Sequence, residues 1–149
     1  MVSPPTSQHV IEHLKANGAS LFTPLVGADD VDFVVRCGDG QYVELRLLEP
    51  VAGGRVFTIA RFRPKPYIFF ICVESEATWV MPSHIFERFA NGPPGAPSRT
   101  LDLDQDDLDE TLGDRLNVYR DRWMLITEFL KYRSTLSDPI SLQMRISMG

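Results

Sequence analysis

Apolar residues fall on every second position through two consecutive stretches of the chain, and that pattern defines its first readable unit. In residues 31–37, Val31, Phe33 and Val35 face one way while Asp32, Val34 and Arg36 face the other. In residues 41–48, Val43, Leu45 and Leu47 oppose Tyr42, Glu44 and Arg46. Side chains alternate across a strand with a period of two, so both stretches read as strands. Gly38-Asp39-Gly40 between them reads as a tight hairpin turn. Upstream, Val10, Ile11 and Leu14 form the apolar stripe of a helix that Ser7 can cap and Gly18 can end. Residues 21–26 follow as a strand, and Pro24 confines it to an edge or a bulge. Residues 27–30 read as a turn.

Residues 50–54 break the pattern, and residues 56–62 read as a further strand running into the basic segment Arg61-Phe62-Arg63-Pro64-Lys65. The continuous apolar run 67–73 is expected to be a central strand buried on both faces. Residues 74–76 turn it into a short strand over 78–81, and Pro82-Ser83 starts a helix through about residue 90. Residues 91–98 (NGPPGAPS) form a Gly/Pro surface loop, since too little chain follows for a second core. Leu116, Tyr119, Trp123, Ile126 and Leu130 recur at three- and four-residue spacing and predict a long helix over 113–132. Ile140, Leu142, Met144, Ile146 and Met148 alternate with polar residues and predict a terminal edge strand. That strand would pair within the fold or, through residues 140–147, join two copies as a homodimer. The expected fold class is a single α/β domain over 1–149. It has a loose leader over 1–6, a mixed central sheet flanked by helices, and a C-terminal addition over 113–149.

Charge narrows the function classes. Fifteen Lys and Arg against twenty Asp and Glu give a net charge of −5. This excludes a constitutive nucleic-acid coat protein, which needs excess cations for phosphate contacts, but it allows a local basic groove. Cys37 and Cys72 both sit in apolar strand-like runs and read as reduced, buried thiols rather than a disulfide framework. A thiol hydrolase would need a histidine beside one of them. No basic and apolar targeting segment opens the chain, and the longest apolar run falls well short of the roughly 20 residues of a membrane helix. A soluble, cytoplasmic protein is expected.

The chemistry concentrates on the hairpin. Asp32, Glu44 and Arg46 are polar members of otherwise apolar alternations, and the turn at 38–40 brings both carboxylates to one side of the sheet. Two converging carboxylates make a hard, oxygen-rich site of the kind Mg²⁺ prefers. A bound metal activates water and neutralises charge developing on a phosphodiester. The bland alternative is a half-exposed sheet face with ordinary solvated charges.

With these residues in place the chain resembles the PD-(D/E)XK nuclease superfamily, the restriction-endonuclease-like fold, and looks like one of its small bacterial members. The likeness runs from the first helix to Ser83. It takes in the turn Gly27-Ala28-Asp29-Asp30-Val31-Asp32, the hairpin, Glu44-Leu45-Arg46 in place of the family's E-x-K, a buried strand, and Trp79-Val80-Met81-Pro82-Ser83. It implies a Mg²⁺-dependent endonuclease in which Asp32, Glu44 and the Leu45 carbonyl hold the metal. Arg46 then stands where the family lysine stands. Glu12, the helix acid available as an extra ligand, points away from the Val10/Ile11/Leu14 stripe and toward solvent. Two departures from the family pattern stand out. Arginine effectively cannot lose its proton, so Arg46 either steadies a phosphate or pairs with Asp32 and Glu44, and Lys65 is the nearest substitute cation. Residues 49–66 favour an extra strand where the family has a helix. An alternative therefore stands beside the enzyme: a degenerate relative that keeps the fold and serves as an interaction module or dimer.

Arg55, Arg61, Arg63 and Lys65, interleaved with Phe57, Phe62 and Tyr67, are the basic cluster that can touch a nucleic-acid backbone and stack a base. A solvated strand end is the plainer reading. His9, His13 and His84 lack metal-ligand spacing, although His9 and His13 lie one helical turn apart. The acidic run over 102–110 lacks the glycine and spacing of a calcium loop and reads as a solvated helix start. Trp79 and Trp123 read as core anchors.

Overall fold

The computed structural model of the chain describes residues 4–23, 31–50, 54–74, 77–92 and 97–148. Helix α1 (Pro4–Ala16) begins three residues before Ser7, so the leader is shorter than expected. It ends at Gly18, whose φ of 85° lies in the left-handed region that glycine tolerates, and the Ala19 amide returns to the Leu14 carbonyl at 3.0 Å. The chain then forms β1 (Ser20–Phe22), β2 (Phe33–Arg36), β3 (Tyr42–Leu48), β4 (Val56–Ile59), β5 (Ile68–Val73) and β6 (Thr78–Pro82). The predicted turn over 27–30 and the end of the predicted strand over 21–26 lie outside the described residues.

A five-stranded mixed sheet in the order β1-β2-β3-β5-β6 forms the centre. Only β3 and β5 are parallel. β5 has neighbours on both sides, and its four middle residues are buried, as a continuous apolar run demands. The register sorts side chains onto two faces. Phe33, Val35, Val43, Leu45, Leu47, Phe69 and Ile71 lie on one, all buried. Over this face α1 contributes Val10 and Leu14, and Phe129 meets Phe69 edge to face at 6.0 Å. The opposite face carries Phe70, Met81 and Trp79 over β5 and β6, where Phe62 and Phe86 close an aromatic cluster on Phe70. On β2 and β3 the same face carries Val34, Arg36, Tyr42, Glu44 and Arg46, none of them buried.

Between β3 and β5 the described residues hold a strand and no helix, as the composition of 49–66 implies. β4 leaves the central sheet and pairs with β7 (Arg99–Asp102) as a separate ribbon. Helix α2 (Ser83–Phe89) starts directly after β6, as predicted. The Ser83 hydroxyl latches it to the segment before β5, accepting the Lys65 amide at 2.9 Å and donating to the Lys65 carbonyl at 2.6 Å.

The C-terminal third corrects three expectations. Residues 102–110 do not start a helix: after β7 they form a small hairpin of β8 (Asp106–Asp107) and β9 (Glu110–Thr111). Thr111 and Asp114 then build a capping box for the one-turn helix α3 (Leu112–Arg115). The predicted long helix over 113–132 is instead a series of short pieces: α3, a 3₁₀ turn (Asn117–Tyr119), α4 (Met124–Thr127) and α5 (Phe129–Tyr132), with a second 3₁₀ turn (Arg133–Thr135) after them. The break falls at Asp121, with φ 51°, because the chain there docks on β6. The Asp121 amide donates to the Thr78 carbonyl at 2.6 Å, its carboxylate accepts the Thr78 amide at 3.0 Å, and Arg120 bridges Trp79. Leu116, Tyr119, Trp123 and Ile126 are buried as their spacing implied, but by separate turns rather than one rod.

The predicted terminal strand, with its strand-mediated dimer through residues 140–147, is helix α6 (Pro139–Met148). Asp138 caps it, accepting from the Ile140 amide at 3.1 Å and the Ser141 hydroxyl at 2.9 Å, and Pro139 takes the first helical position. These bonds, with Arg88 nearby, hold the Asp138 carboxyl below its ordinary range. Alternation of period two also repeats at four, so it puts Leu142 and Ile146 on the inner side of a helix and Ile140, Met144 and Met148 on the outer side.

Candidate nucleic-acid site

Asp32 precedes β2 by one residue, and its amide donates at 2.8 Å to the carbonyl of Leu45, the ladder partner of Phe33. Asp32 and Phe33 thus both meet Leu45, as at a bulge, while Val34 stands opposite Glu44. Glu44 and Arg46 share one face of β3, two positions apart. One Asp32 oxygen accepts the Leu47 amide at 2.7 Å and lies 4.0 Å from Arg46 Nε. Both side chains of that ion pair are about one-third exposed, at 32% for Arg46 and 36% for Asp32. At the limit of contact and open to water, such a pair contributes little stability and holds the guanidinium loosely. The backbone does the positioning instead, because the Leu45 carbonyl and Leu47 amide fix Asp32 from both sides.

The segment after β4 runs alongside. The Tyr67 carbonyl accepts the Glu44 amide at 2.8 Å. Phe62 packs on Phe70, the sheet neighbour of Arg46, with Arg61 and Arg63 exposed on either side of it and Lys65 exposed beyond. Arg55 does not join them. Its Nε donates to Glu74 at 3.0 Å and its Nη1 to Asp104 at 2.8 Å, while its guanidinium covers the Trp79 ring at 5.6 Å. This second polar grouping lines a cavity of about 620 Å³ between Pro50, Trp79 and Asn117. Sequence reading missed it because its parts come from four separate elements; Arg55 alone gave a signal, and that signal pointed to a nucleic-acid strip.

The remaining candidates settle simply. Glu12 is exposed and accepts from Gln8 at 3.1 Å. His13 stacks on Trp123 at 5.2 Å and meets His9 edge to face at 4.7 Å. Among the described residues no group of three or more His, Cys, Asp or Glu converges. Trp79 and Trp123 are buried, as expected of anchors. Cys37 and Cys72 are free and buried. Burial, with Asp39 adding, pushes the Cys37 thiol up to about 12, and burial, with Glu74 adding, raises Cys72 as well. Neutral thiols are poor nucleophiles.

No family model and no curated protein matches the chain. Among solved structures the chain is similar to a bacterial homing endonuclease, I-Ssp6803I, with a TM-score of 0.56 and 18% sequence identity. The match covers 87% of this chain and 94% of that one. At that identity the likeness is one of architecture alone: a mixed central sheet flanked by helices with a C-terminal helix. No helix among the described residues is long and apolar enough to cross a membrane.

Proposed function

We propose that the chain is a metal-dependent nuclease of the PD-(D/E)XK kind, acting on a nucleic-acid phosphodiester at the outer face of β2 and β3. The observation that carries the reading is Asp32, fixed by the Leu45 carbonyl and the Leu47 amide, 4.0 Å from Arg46 on the strand that also carries Glu44, all three side chains partly exposed. The donor set suits Mg²⁺, which binds through one or two carboxylates and keeps several waters. Asp32 retains an oxygen not engaged by the Leu47 amide. When bound, the ion would supply an activated water and neutralise phosphate charge. Arg46, always cationic, steadies the scissile phosphate once it leaves its loose contact with Asp32. Arg61, Arg63 and Lys65 hold the flanking backbone.

The 4.0 Å approach of Arg46 to Asp32 favours one second reading, a relative in which the ion pair stands in for the metal and the face binds without cutting. Incubation with supercoiled plasmid and Mn²⁺ or Mg²⁺ separates the two. The nuclease reading expects nicking that EDTA stops and that Asp32→Ala and Glu44→Ala each reduce at least about a hundredfold, as loss of a metal ligand does. Titration calorimetry showing no metal binding, with no nicking, would leave the binding protein.

A further inference from the structure

The outer face of β1, β2 and β3 carries two aromatic rings that the core does not enclose. Phe22 on β1 is 50% exposed and Tyr42 on β3 is 56% exposed. Both stand on the face of Glu44 and Arg46. Phe22 is opposite Val34, which is opposite Glu44, and Tyr42 is opposite Arg36. Phe22 thus shares a row with Glu44 two strands away, about 9–10 Å at the usual strand spacing. Tyr42 lies two positions along β3 from Glu44, about 7 Å. The rings bracket the acid from two directions, with the exposed Arg36 between them and Arg46 beyond.

Rings and guanidinium groups interleaved on an open sheet match a strand whose bases are unpaired: the rings take base faces and the cations take phosphates. A duplex keeps its bases stacked inside and presents only its backbone and groove edges, so two rings on a sheet surface gain little from it. We propose that this face binds a single-stranded polynucleotide, with Phe22 and Tyr42 each stacking a base and Arg36 and Arg46 contacting the phosphates between them. The proposal shares with the nuclease reading the assumption that this face meets nucleic acid, and it goes further in naming an unpaired strand as the substrate.

The test is fluorescence anisotropy of the full chain with a short fluorescein-labelled DNA, single-stranded or annealed to its complement, in EDTA so that nothing is cut. The single strand is expected to bind at least about tenfold tighter than the duplex. Phe22→Ala and Tyr42→Ala should each weaken single-strand binding roughly tenfold, the low end of one base–aromatic stack, and leave duplex binding unchanged. Tyr42→Phe, which keeps the ring, should bind like the parent. Both rings are half-exposed, so the alanine variants should fold, and their thermal melts check this. Equal or tighter duplex binding overturns the proposal, as does undiminished single-strand binding by both folded alanine variants. The two readings fail separately. Ring-dependent strand binding without metal-dependent nicking sinks only the nuclease, whereas nicking with no preference for the single strand sinks only this inference.

Discussion

Two arginines of this chain meet carboxylates in opposite ways. Arg55 is clamped by Glu74 and Asp104 at 3.0 and 2.8 Å, lies over Trp79, and packs against Gly113, where a Cβ would come within 2.6 Å of the guanidinium and 3.0 Å of the Leu103 carbonyl. Glu74 is nearly enclosed, with 14% of its side chain exposed. Arg46 touches one carboxylate at the contact limit, in water, on an open sheet. The same charge pairing therefore serves different ends. At Arg55 two acids hold the cation in place and tie β5 to the chain before β4 and after β7. At Arg46 the acid is held by backbone and the cation is left able to move to another anion.

The sharpest way to break this contrast is to truncate both arginines. Arg55→Ala leaves Glu74 nearly buried without its partner, so a loss of about 2 kcal/mol is expected. That is a fall of roughly 4–8 °C in melting temperature for a chain of this size. Gly113→Ala should cost less, about 1 kcal/mol, because the guanidinium can shift away from the new methyl group while keeping one of its acids. A Gly113→Ala protein that melts like the parent would show that the clamp is slack. Arg46→Ala should change stability by under about 0.5 kcal/mol, yet weaken nucleic-acid binding several-fold and flatten its salt dependence by about one phosphate contact. A large loss of stability from Arg46→Ala would place it with Arg55 as a structural pair.

The N-terminal half was legible because its signals are local. Alternation over 31–37 and 41–48, joined by Gly38-Asp39-Gly40, specifies a hairpin, and the run 67–73 specifies a strand with two neighbours. Glu44 and Arg46 could be placed on one face of β3 by parity alone. The C-terminal third misled because tertiary contacts overrode its pattern. Leu116, Tyr119, Trp123 and Ile126 have helical spacing, but Asp121 exchanges hydrogen bonds with Thr78 and breaks the helix there. In the tail a period of two concealed a period of four, and Asp138-Pro139 was the start signal that alternation outweighed. Phe22 and Tyr42 could not be seen as a pair, since pairing β1 to β2 is a matter of register across residues that give no local cue. The Arg55 grouping had no signature as a group, because positions 55, 74 and 104 become neighbours only after folding.

The docking of Asp121 on Thr78 carries a consequence in time rather than in space. The partner that completes the outer rim of β6 is encoded 43 positions later. During synthesis, therefore, the five strands leave the ribosome well before the turn that seals them. Through that interval the nascent chain shows a row of unsatisfied amides and carbonyls to its surroundings, the kind of surface that invites mispairing between neighbouring polypeptides.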